Sequence, residues 1–244
     1  MNSGPIEFSI VLPCYNEAES LPGLLNRYSE IWEALPAELV LVNNGSGDNT
    51  AEVLDRILGR PEFRFARVVT IERNQGYGHG IWTGLQASRG RYVGYSHADL
   101  QCDPADLFRA YHRLLSEPAP HNAIVKGNRA RRDFSASLIT NGMTVLASTI
   151  LLTKLHDINA QPKVFHRSFL EKLPNPASGF QFDLYLLYRA RQNRLTILTI
   201  PVVFGLRAHG TSRLTPNPWA RYRTMWNTIV YMFHLRFNER KEKT

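Results

Sequence analysis

Four apolar runs of strand length recur in the N-terminal part of the chain, and each ends in a polar turn that leads into a helical pattern. The runs are residues 8–13, 38–42, 68–71 and 92–95. The segments after the turns place apolar residues at intervals of three or four. Repetition of strand, turn and helix is typical of a parallel sheet with helices on both faces. The sequence therefore predicts an α/β fold, with these turns along one edge of a mostly parallel sheet.

The remainder of the chain continues this pattern with longer helices. Residues 123–127 and 196–204 are predicted strands, and residues 179–191 are a predicted helix. Residues 135–155 form a helical pattern whose only charged residue is Lys154, which is typical of a helix that is buried or lies against lipid. We expect one globular domain over residues 1–215. A C-terminal helix and its charged tail occupy residues 216–244.

The chain of 244 residues carries a net charge of +8 at neutral pH. Such an excess favours an anionic partner, which is nucleic acid, a membrane surface or a phosphate-bearing substrate. The arginines cluster at strand ends rather than along one face, and no DNA- or RNA-binding motif is present. We therefore expect no nucleic-acid partner.

Two cysteines, Cys14 and Cys102, each follow a predicted strand. They are too few for a disulfide framework, and we expect free thiols in a reducing compartment. No signal-peptide pattern precedes the first strand, and no apolar run reaches the roughly 18 residues of a membrane-spanning helix. These features predict a cytoplasmic protein.

Three polar side chains follow the fourth strand at alternating positions: His97, Asp99 and Gln101. In an extended segment they point to the same side, and the carboxyl end of a parallel strand is where ligands bind. One carboxylate flanked by two neutral ligands is a half-site for Mg²⁺ or Mn²⁺ that waters and substrate phosphates complete. The alternative is that Asp99 is a turn residue before Asp103 and Pro104, which predict the start of a helix.

Two further segments could bind phosphate. Residues 74–80 form a Gly-rich turn that opens a helix, which can hold phosphate through backbone amides, although such turns are also ordinary loops. Arg129, Arg131 and Arg132 follow the fifth strand, where they are either an anion clamp or part of a solvated loop. Their position on the same edge of the sheet favours the clamp.

Several short motifs occur in a fixed order along residues 8–214. They are Pro-Cys-Tyr-Asn-Glu from Pro13, Val-Asn-Asn-Gly-Ser from Val42, Asn-x-Gly from Asn74, Ala-Asp-Leu-Gln from Ala98 and Arg-x-x-Gly-x-Ser-Arg from Arg207. Together they resemble family 2 glycosyltransferases of the GT-A fold, in particular the branch that uses dolichol phosphate or polyprenyl phosphate.

The resemblance implies roles for individual residues. The nucleotide sugar is expected to contact Pro13, Tyr15, Glu17, Asn44, Asn74, Gly76, His97, Ala98 and Arg213. The metal and the diphosphate are expected at Asp99 and Gln101. The acceptor phosphate is expected at Arg129, Arg132 and Thr140, and the residues assigned to catalysis are Asp99, Arg129, Asp183 and Arg207.

The chain departs from the family pattern at three positions. Asn43 and Asn44 stand where two aspartates are usual, His97 replaces the first carboxylate of the metal motif, and Ala136 replaces an arginine for which Arg131 or Arg132 can substitute. His97 could ligate the metal, contact the diphosphate or nucleotide as a cation, or bond to backbone. Direct ligation would predict a preference for Mn²⁺, because Mg²⁺ prefers oxygen ligands. The resemblance favours a role other than metal ligation, because the first aspartate of the related family usually faces the ribose as much as the metal.

The reaction implied is an inverting transfer of a sugar from a nucleotide diphosphate sugar, most simply to a lipid phosphate. A phosphate monoester has a second pKa near 6, so it is largely dianionic at neutral pH and needs no strong base. A sugar hydroxyl acceptor would need one, and Asp183 is then the candidate, unless it is only a helix-surface residue. A third alternative, suggested by Asn44 and His97, is an inactive nucleotide-sugar-binding protein.

The final helix combines aromatic and basic residues. Its apolar stripe consists of Trp219, Tyr222, Trp226, Ile229, Phe233 and Phe237. Arginines and lysines flank the stripe, as in helices that lie in a membrane interface. We therefore expect peripheral attachment to the inner face of a membrane. The alternatives are packing on the domain, above all in the first half of the helix, and a contact within a homo-oligomer.

Overall fold

A seven-stranded sheet runs through the computed structural model, which describes residues 4–32, 35–129, 134–205 and 218–241. The strands are β1 (Phe8–Cys14), β2 (Ala37–Asn44), β3 (Ala66–Ile71), β4 (Tyr92–Tyr95), β5 (Ala123–Arg129), β6 (Lys163–His166) and β7 (Thr196–Val202). The α-helices of these residues are α1 (Leu21–Ile31), α2 (Thr50–Leu58), α3 (Tyr77–Ala87), α4 (Ala105–Leu115), α5 (Phe134–Ile150), α6 (Phe182–Gln192) and α7 (Pro218–Lys241).

The strand order is β3-β2-β1-β4-β6-β5-β7, and β1 pairs in parallel with both β2 and β4. The chain builds outward from β1 to β3 and then returns to the other side of β1 with β4. In open α/β sheets, ligands bind outside the carboxyl ends of the strands at such a reversal. The crevice between the ends of β1 and β4 is therefore where this topology places a ligand site.

One strand, β6, was not predicted, and it makes the sheet mixed. It is antiparallel to both β4 and β5, and Lys163 lies opposite Tyr95 on one side and Lys126 on the other. The expectation of a mostly parallel sheet is confirmed, with β6 as the exception. Because β6 runs in reverse, the turn that precedes it lies at the carboxyl edge of β4 and brings Asp157 and Gln161 there.

Each face of the sheet is covered by helices and has its own core. On one face Leu21 of α1, Leu54 of α2 and Phe108 of α4 pack against Ile10 and Leu12 of β1. The other core contains apolar residues of α3, α5, α6 and α7 together with β-strand residues, and its members include Ile81, Ala147, Leu186, Met232, Val11 and Val40. This is the three-layer arrangement that the strand–turn–helix repeat predicts.

The segment after β4 differs from the extended conformation predicted for it. The strand ends at Tyr95, and Leu100 has a left-handed φ of 59°. His97, Asp99 and Gln101 therefore do not alternate along a strand, and the extended conformation predicted for them is wrong. Helix α4 begins one residue later than predicted, yet the Asp103 carboxylate still accepts from the Ala105 amide at 3.0 Å. Cys14 and Cys102 are both buried free thiols, as expected.

Helix α7 packs along α5 through one face only. Met232 and Leu235 are buried, whereas five aromatic residues are at least 46% exposed. We call these five the aromatic stripe: Trp219, Tyr222, Trp226, Phe233 and Phe237. The alternative that the first half of the stripe packs on the domain is wrong, because the side chains that reach the core come from the opposite face of the helix. Among the described helices, none is both long and apolar enough to cross a bilayer.

Candidate functional site

The turns after β1 and β2 are joined by hydrogen bonds between their backbones and polar side chains. The Asn16 amide donates to Ser46 Oγ at 3.1 Å, and the Glu17 amide donates to Thr50 Oγ1 at 3.0 Å. Asn16 adopts a left-handed φ of 56°, which its short polar side chain tolerates. Pro13, Tyr15 and Glu17 are half-buried on this edge. The residues predicted to hold a nucleotide thus lie on a fixed pair of turns beside the β1–β4 crevice.

Asn44, at the end of β2, makes a contact that the aspartate usual in the family could not make. Its Nδ2 donates to the Gly76 carbonyl at 3.0 Å, whereas an ionised carboxylate only accepts. The Gly76 amide in turn donates to Asn74 Oδ1 at 2.8 Å. Asn44 is 2% exposed, and its Oδ1 has no hydrogen-bond partner among the described residues. Asn44, Asn74 and Gly76 are therefore brought together, with one buried acceptor left over.

The predicted phosphate cradle at residues 74–80 is covered by another loop. The His79 amide donates to the Ser178 carbonyl at 2.9 Å. A Cβ atom on Gly78 would lie 2.2 Å from the Ala177 carbonyl oxygen. The Ser178 carbonyl therefore already accepts from the His79 amide, and a phosphate could not use that amide in this arrangement.

The segment predicted to bind a metal is anchored to the chain beyond β7. Asp99 is 2% exposed, and its Oδ1 accepts from the Gln101 amide at 3.1 Å. Gln101 Nε2 donates to the Gly205 carbonyl at 3.2 Å, and the Gly205 amide donates back to the Gln101 carbonyl. No group of three or more His, Cys, Asp or Glu side chains suited to a metal occurs in the described part of the chain. One carboxylate and one amide suit a Mg²⁺-type ion that takes its other ligands from water and substrate phosphates.

Phe204 brings two predicted site residues to one place. The Arg129 guanidinium lies 5.5 Å from the centre of the Phe204 ring, and the His97 ring meets that ring edge-on at 6.0 Å. Arg129 also donates through its backbone amide and its Nε to the Asp157 carboxylate, at 2.9 and 3.0 Å. Burial alone would raise the pKa of Asp157, but the bonds from Arg129 outweigh burial and hold that pKa below its ordinary value. The predicted anion clamp thus contains an arginine that is already paired with a carboxylate.

Asp183, the candidate base, is buried and is not a surface residue. Together with its partners Lys163, Tyr95 and Gln161 it forms a polar cluster that we call the buried hub. Asp183 Oδ1 lies 2.6 Å from Lys163 Nζ and accepts from Tyr95 Oη at 2.7 Å. Gln161 Nε2 donates to both carboxylate oxygens at 3.2 and 3.3 Å. Burial lowers the pKa of Lys163 from its ordinary value, and Asp183 opposes that shift. The alternative of a helix-surface aspartate is wrong, because α6 presents Asp183 to the sheet.

A second buried lysine lies beside this hub. Lys126 on β5 is the direct cross-strand partner of Lys163, and the two side chains are at most 1% exposed. Lys126 Nζ donates to the Gly127 carbonyl at 2.6 Å. Burial, and then the charge of Lys163, lower the pKa of Lys126 to about 8. Two like charges on adjacent strands of a buried sheet are costly, so neighbouring carboxylates are needed to offset them.

Several predicted site residues lie outside the described part of the structure. Arg132, Arg207 and Arg213 belong to segments that are not described, and Thr140 lies in α5 but its side chain is not described. Ala98 is 3% exposed next to Asp99.

Sequence reasoning missed several polar residues of this region: Tyr77, Lys126, Asp157, Gln161 and Lys163. A lysine directly beside apolar residues was the available signal, because Lys126 follows Ala-Ile-Val and Lys163 precedes Val-Phe. The other three carry no comparable mark in the sequence.

The family model described as "Glycosyl transferase family 2" matches residues 9–173. A dodecaprenyl-phosphate galacturonate synthase of Rhizobium johnstonii is 26% identical over 240 residues, covering 96% of this chain and 69% of that protein. An undecaprenyl-phosphate 4-deoxy-4-formamido-L-arabinose transferase of Pseudomonas syringae is 39% identical over 222 residues, covering 88% of this chain and 63% of that protein. The chain spans about two thirds of the length of these curated relatives.

Among solved structures, glucosyl-3-phosphoglycerate synthase from Mycobacterium tuberculosis, crystallised with Mn²⁺, UDP and glucosyl-3-phosphoglycerate, is similar in fold. The TM-score is 0.71 at 22% identity, covering 96% of this chain and 80% of that chain. This likeness confirms the GT-A type of fold, and the family match covers more than half of the sequence. The chain belongs to glycosyl transferase family 2.

Proposed function

We propose that this protein transfers a sugar, with inversion, from a nucleotide diphosphate sugar to a polyprenyl phosphate. The observation that carries the proposal is the convergence at the β1–β4 crevice. The turns that follow β1, β2 and β4 lie along one edge of the sheet, and they carry the residues that we propose for the donor and the metal. The names of the two curated relatives support the choice of acceptor, since both name a polyprenyl phosphate.

The donor nucleotide would lie against Pro13, Tyr15 and Glu17 at the end of β1, next to Asn44 at the end of β2. A buried acceptor without a partner costs about 1–3 kcal/mol, which a ligand can recover by supplying a donor. Asn44 Oδ1 is such an acceptor. An N–H group of the nucleobase has the chemistry to satisfy it. Asn74, Gly76, His97, Ala98 and Arg213 complete the proposed donor site.

A divalent cation, Mg²⁺ or Mn²⁺, would be held by Asp99 and Gln101. When bound, such an ion neutralises the diphosphate that leaves. Asp99 is already oriented by the Gln101 amide, so its carboxylate is ordered before any ligand arrives. Arg207 and Arg213 are proposed to add charge-assisted hydrogen bonds to phosphate.

The buried and hydrogen-bonded position of Asp183 supports a phosphate acceptor over a sugar hydroxyl. A general base must reach the proton that it removes, and Asp183 instead accepts from Lys163, Tyr95 and Gln161 in the interior. A dianionic lipid phosphate attacks without a base. Arg129, Arg132 and Thr140 are the proposed contacts of that phosphate.

The aromatic stripe is proposed to place the active site at the inner face of a membrane, where a lipid acceptor is available. Aromatic residues prefer the membrane–water interface, and Arg223 and Arg236 on the same helix can meet anionic headgroups. The alternative use of the stripe is a contact between copies of this chain.

A panel of radiolabelled nucleotide sugars, incubated with the protein and a bacterial lipid extract, tests the proposal. We expect label in the organic phase from at least one donor, and loss of that label with Asp99→Asn. Asp103→Asn is the matched control, because Asn caps a helix as well as Asp does. Nucleotide binding without transfer from any donor would favour an inactive sugar-nucleotide-binding protein.

A further inference from the structure

A chain of polar side chains connects the buried hub to the motif residue that departs from the family. Gln161 Nε2 lies 3.1 Å from Tyr77 Oη, and Tyr77 Oη lies 3.1 Å from His97 Nε2. The other end of this series of side chains is Asp183, which is bonded to Lys163 and Tyr95. Three segments, in α3, after β4 and before β6, thus meet at the Tyr77 hydroxyl.

The direction of these hydrogen bonds follows from the chemistry of the groups. An ionised carboxylate only accepts, so the Gln161 amide must turn its nitrogen toward Asp183. The second N–H of that nitrogen then points to Tyr77 Oη, which accepts it. Tyr77 has one proton to give, and the hydroxyl also lies within hydrogen-bond distance of His97 Nε2. Burial and the charge of Asp183 raise the pKa of Tyr77 well above its ordinary value, so the phenol keeps that proton.

We infer that Tyr77 is a positioning residue that donates its hydroxyl proton to His97 Nε2 and thereby selects, for the uncharged ring, the tautomer protonated at Nδ1. The Tyr77 ring is itself fixed, because it stacks on Phe180 with ring centres 5.3 Å apart and planes 12° apart. His97 is also packed edge-on against Tyr77 and Phe204. Both the proton and the ring plane of His97 are therefore set by neighbours before a ligand binds.

The consequence for the site rests on the proposed function. A ring whose Nε2 lone pair receives the Tyr77 proton does not offer that lone pair to a cation. Asp99 and Gln101 are then left to hold the ion, and His97 contributes to the donor site as an oriented ring. This explains how imidazole can replace a carboxylate here without becoming a metal ligand.

The tautomer can be read directly by ¹⁵N NMR of the full-length protein labelled at its histidines. The chain has eight histidines, and the His97 signals are those lost in His97→Gln. At about pH 8, above the ordinary histidine pKa of about 6.5, we expect His97 Nε2 to show the shift of an unprotonated nitrogen and Nδ1 that of a protonated one. Tyr77→Phe should raise the fraction protonated at Nε2. Tyr28→Phe, a buried tyrosine in the opposite core, should leave the His97 tautomer unchanged.

A proton on Nε2 of wild-type His97 would overturn the inference, and this reading needs no variant to fold. An unchanged tautomer in a folded Tyr77→Phe protein would overturn it equally. Adding MgCl₂ with UDP should leave the Nε2 nitrogen without a metal-bound shift. Because the tautomer is measured without any reaction, the inference and the proposed transfer can fail independently.

Discussion

Lys163 and Asp183 form an ion pair that water does not reach: Nζ lies 2.6 Å from Oδ1, and the side chains are 0% and 4% exposed. The pair joins β6 to α6 and fixes the carboxylate from which Gln161 and Tyr77 extend toward His97. Breaking a buried pair leaves one charge uncompensated, which costs more than the pair itself contributes.

Asp183→Asn should therefore destabilise the fold by about 3–5 kcal/mol, measured as the free energy of unfolding in urea. Asp48→Asn, at an exposed turn position where Asn bonds equally well, should change that free energy little. If Asp183→Asn abolished transfer and left the unfolding curve unchanged, Asp183 would be a catalytic base and not a structural anchor.

Lys126 is expected to make the stability depend on pH in the alkaline range. Its pKa is lowered to about 8 in the folded protein from 10.5, so between these values the unfolded chain binds more protons. Stability should therefore rise as pH increases from about 8 to 10.5, and the cost of the buried ammonium, about 3 kcal/mol, is fully present below about pH 8.

Lys126→Met should accordingly raise the free energy of unfolding at pH 7 and flatten its alkaline rise. Lys154→Met, at an exposed position, is the matched control and should do neither. A Lys126→Met protein that is less stable than wild type at pH 7 would show that the ammonium stabilises the fold.

Gly84 allows α3 to lie directly on the sheet beside the donor turns. A Cβ atom there would meet Val11 Cγ1 at 2.4 Å and Val42 Cγ2 at 2.7 Å. Gly84→Ala should cost about 1–3 kcal/mol through overpacking. Gly142→Ala in α5, with open space around it, should instead stabilise by about 0.5–1 kcal/mol. Equal effects in thermal denaturation would contradict this packing.

The fold could be predicted largely from the sequence, because strand and helix periods are local patterns. Strand β6 could not, since four residues with a lysine at the first position show no strand period. Its place between β4 and β5 depends on pairing with strands that are distant along the chain.

The site was predictable to the extent that parallel strands share a carboxyl edge, which places Asn44 and Asp99 along the same edge. The state of Asp183 was not predictable, because its burial depends on Lys163 and Gln161 in a separate segment. The contact between the α3 N-terminus and residues 177–179 was not predictable for the same reason, since those residues are distant along the chain.

The aromatic stripe should control attachment to membranes. A variant with Trp219→Ser, Tyr222→Ser and Trp226→Ser should lose co-sedimentation with anionic liposomes, because these side chains are 79%, 60% and 55% exposed. Leu115→Ser with Val203→Ser removes exposed apolar side chains elsewhere and serves as the control. If the triple variant sediments like wild type but changes oligomeric state in light scattering, the stripe is a contact between copies.

The most direct test of the proposed reaction compares two acceptors that differ by one group. Purified protein is given the active donor with Mg²⁺ and either undecaprenyl phosphate or undecaprenol, and the lipid product is separated and counted. We predict transfer to the phosphate, negligible transfer to the alcohol, and a loss with Asp99→Asn greater than the roughly 10- to 100-fold typical of an outer-shell change at a metal site. Equal transfer to both lipids, or full activity of Asp99→Asn, would contradict the account.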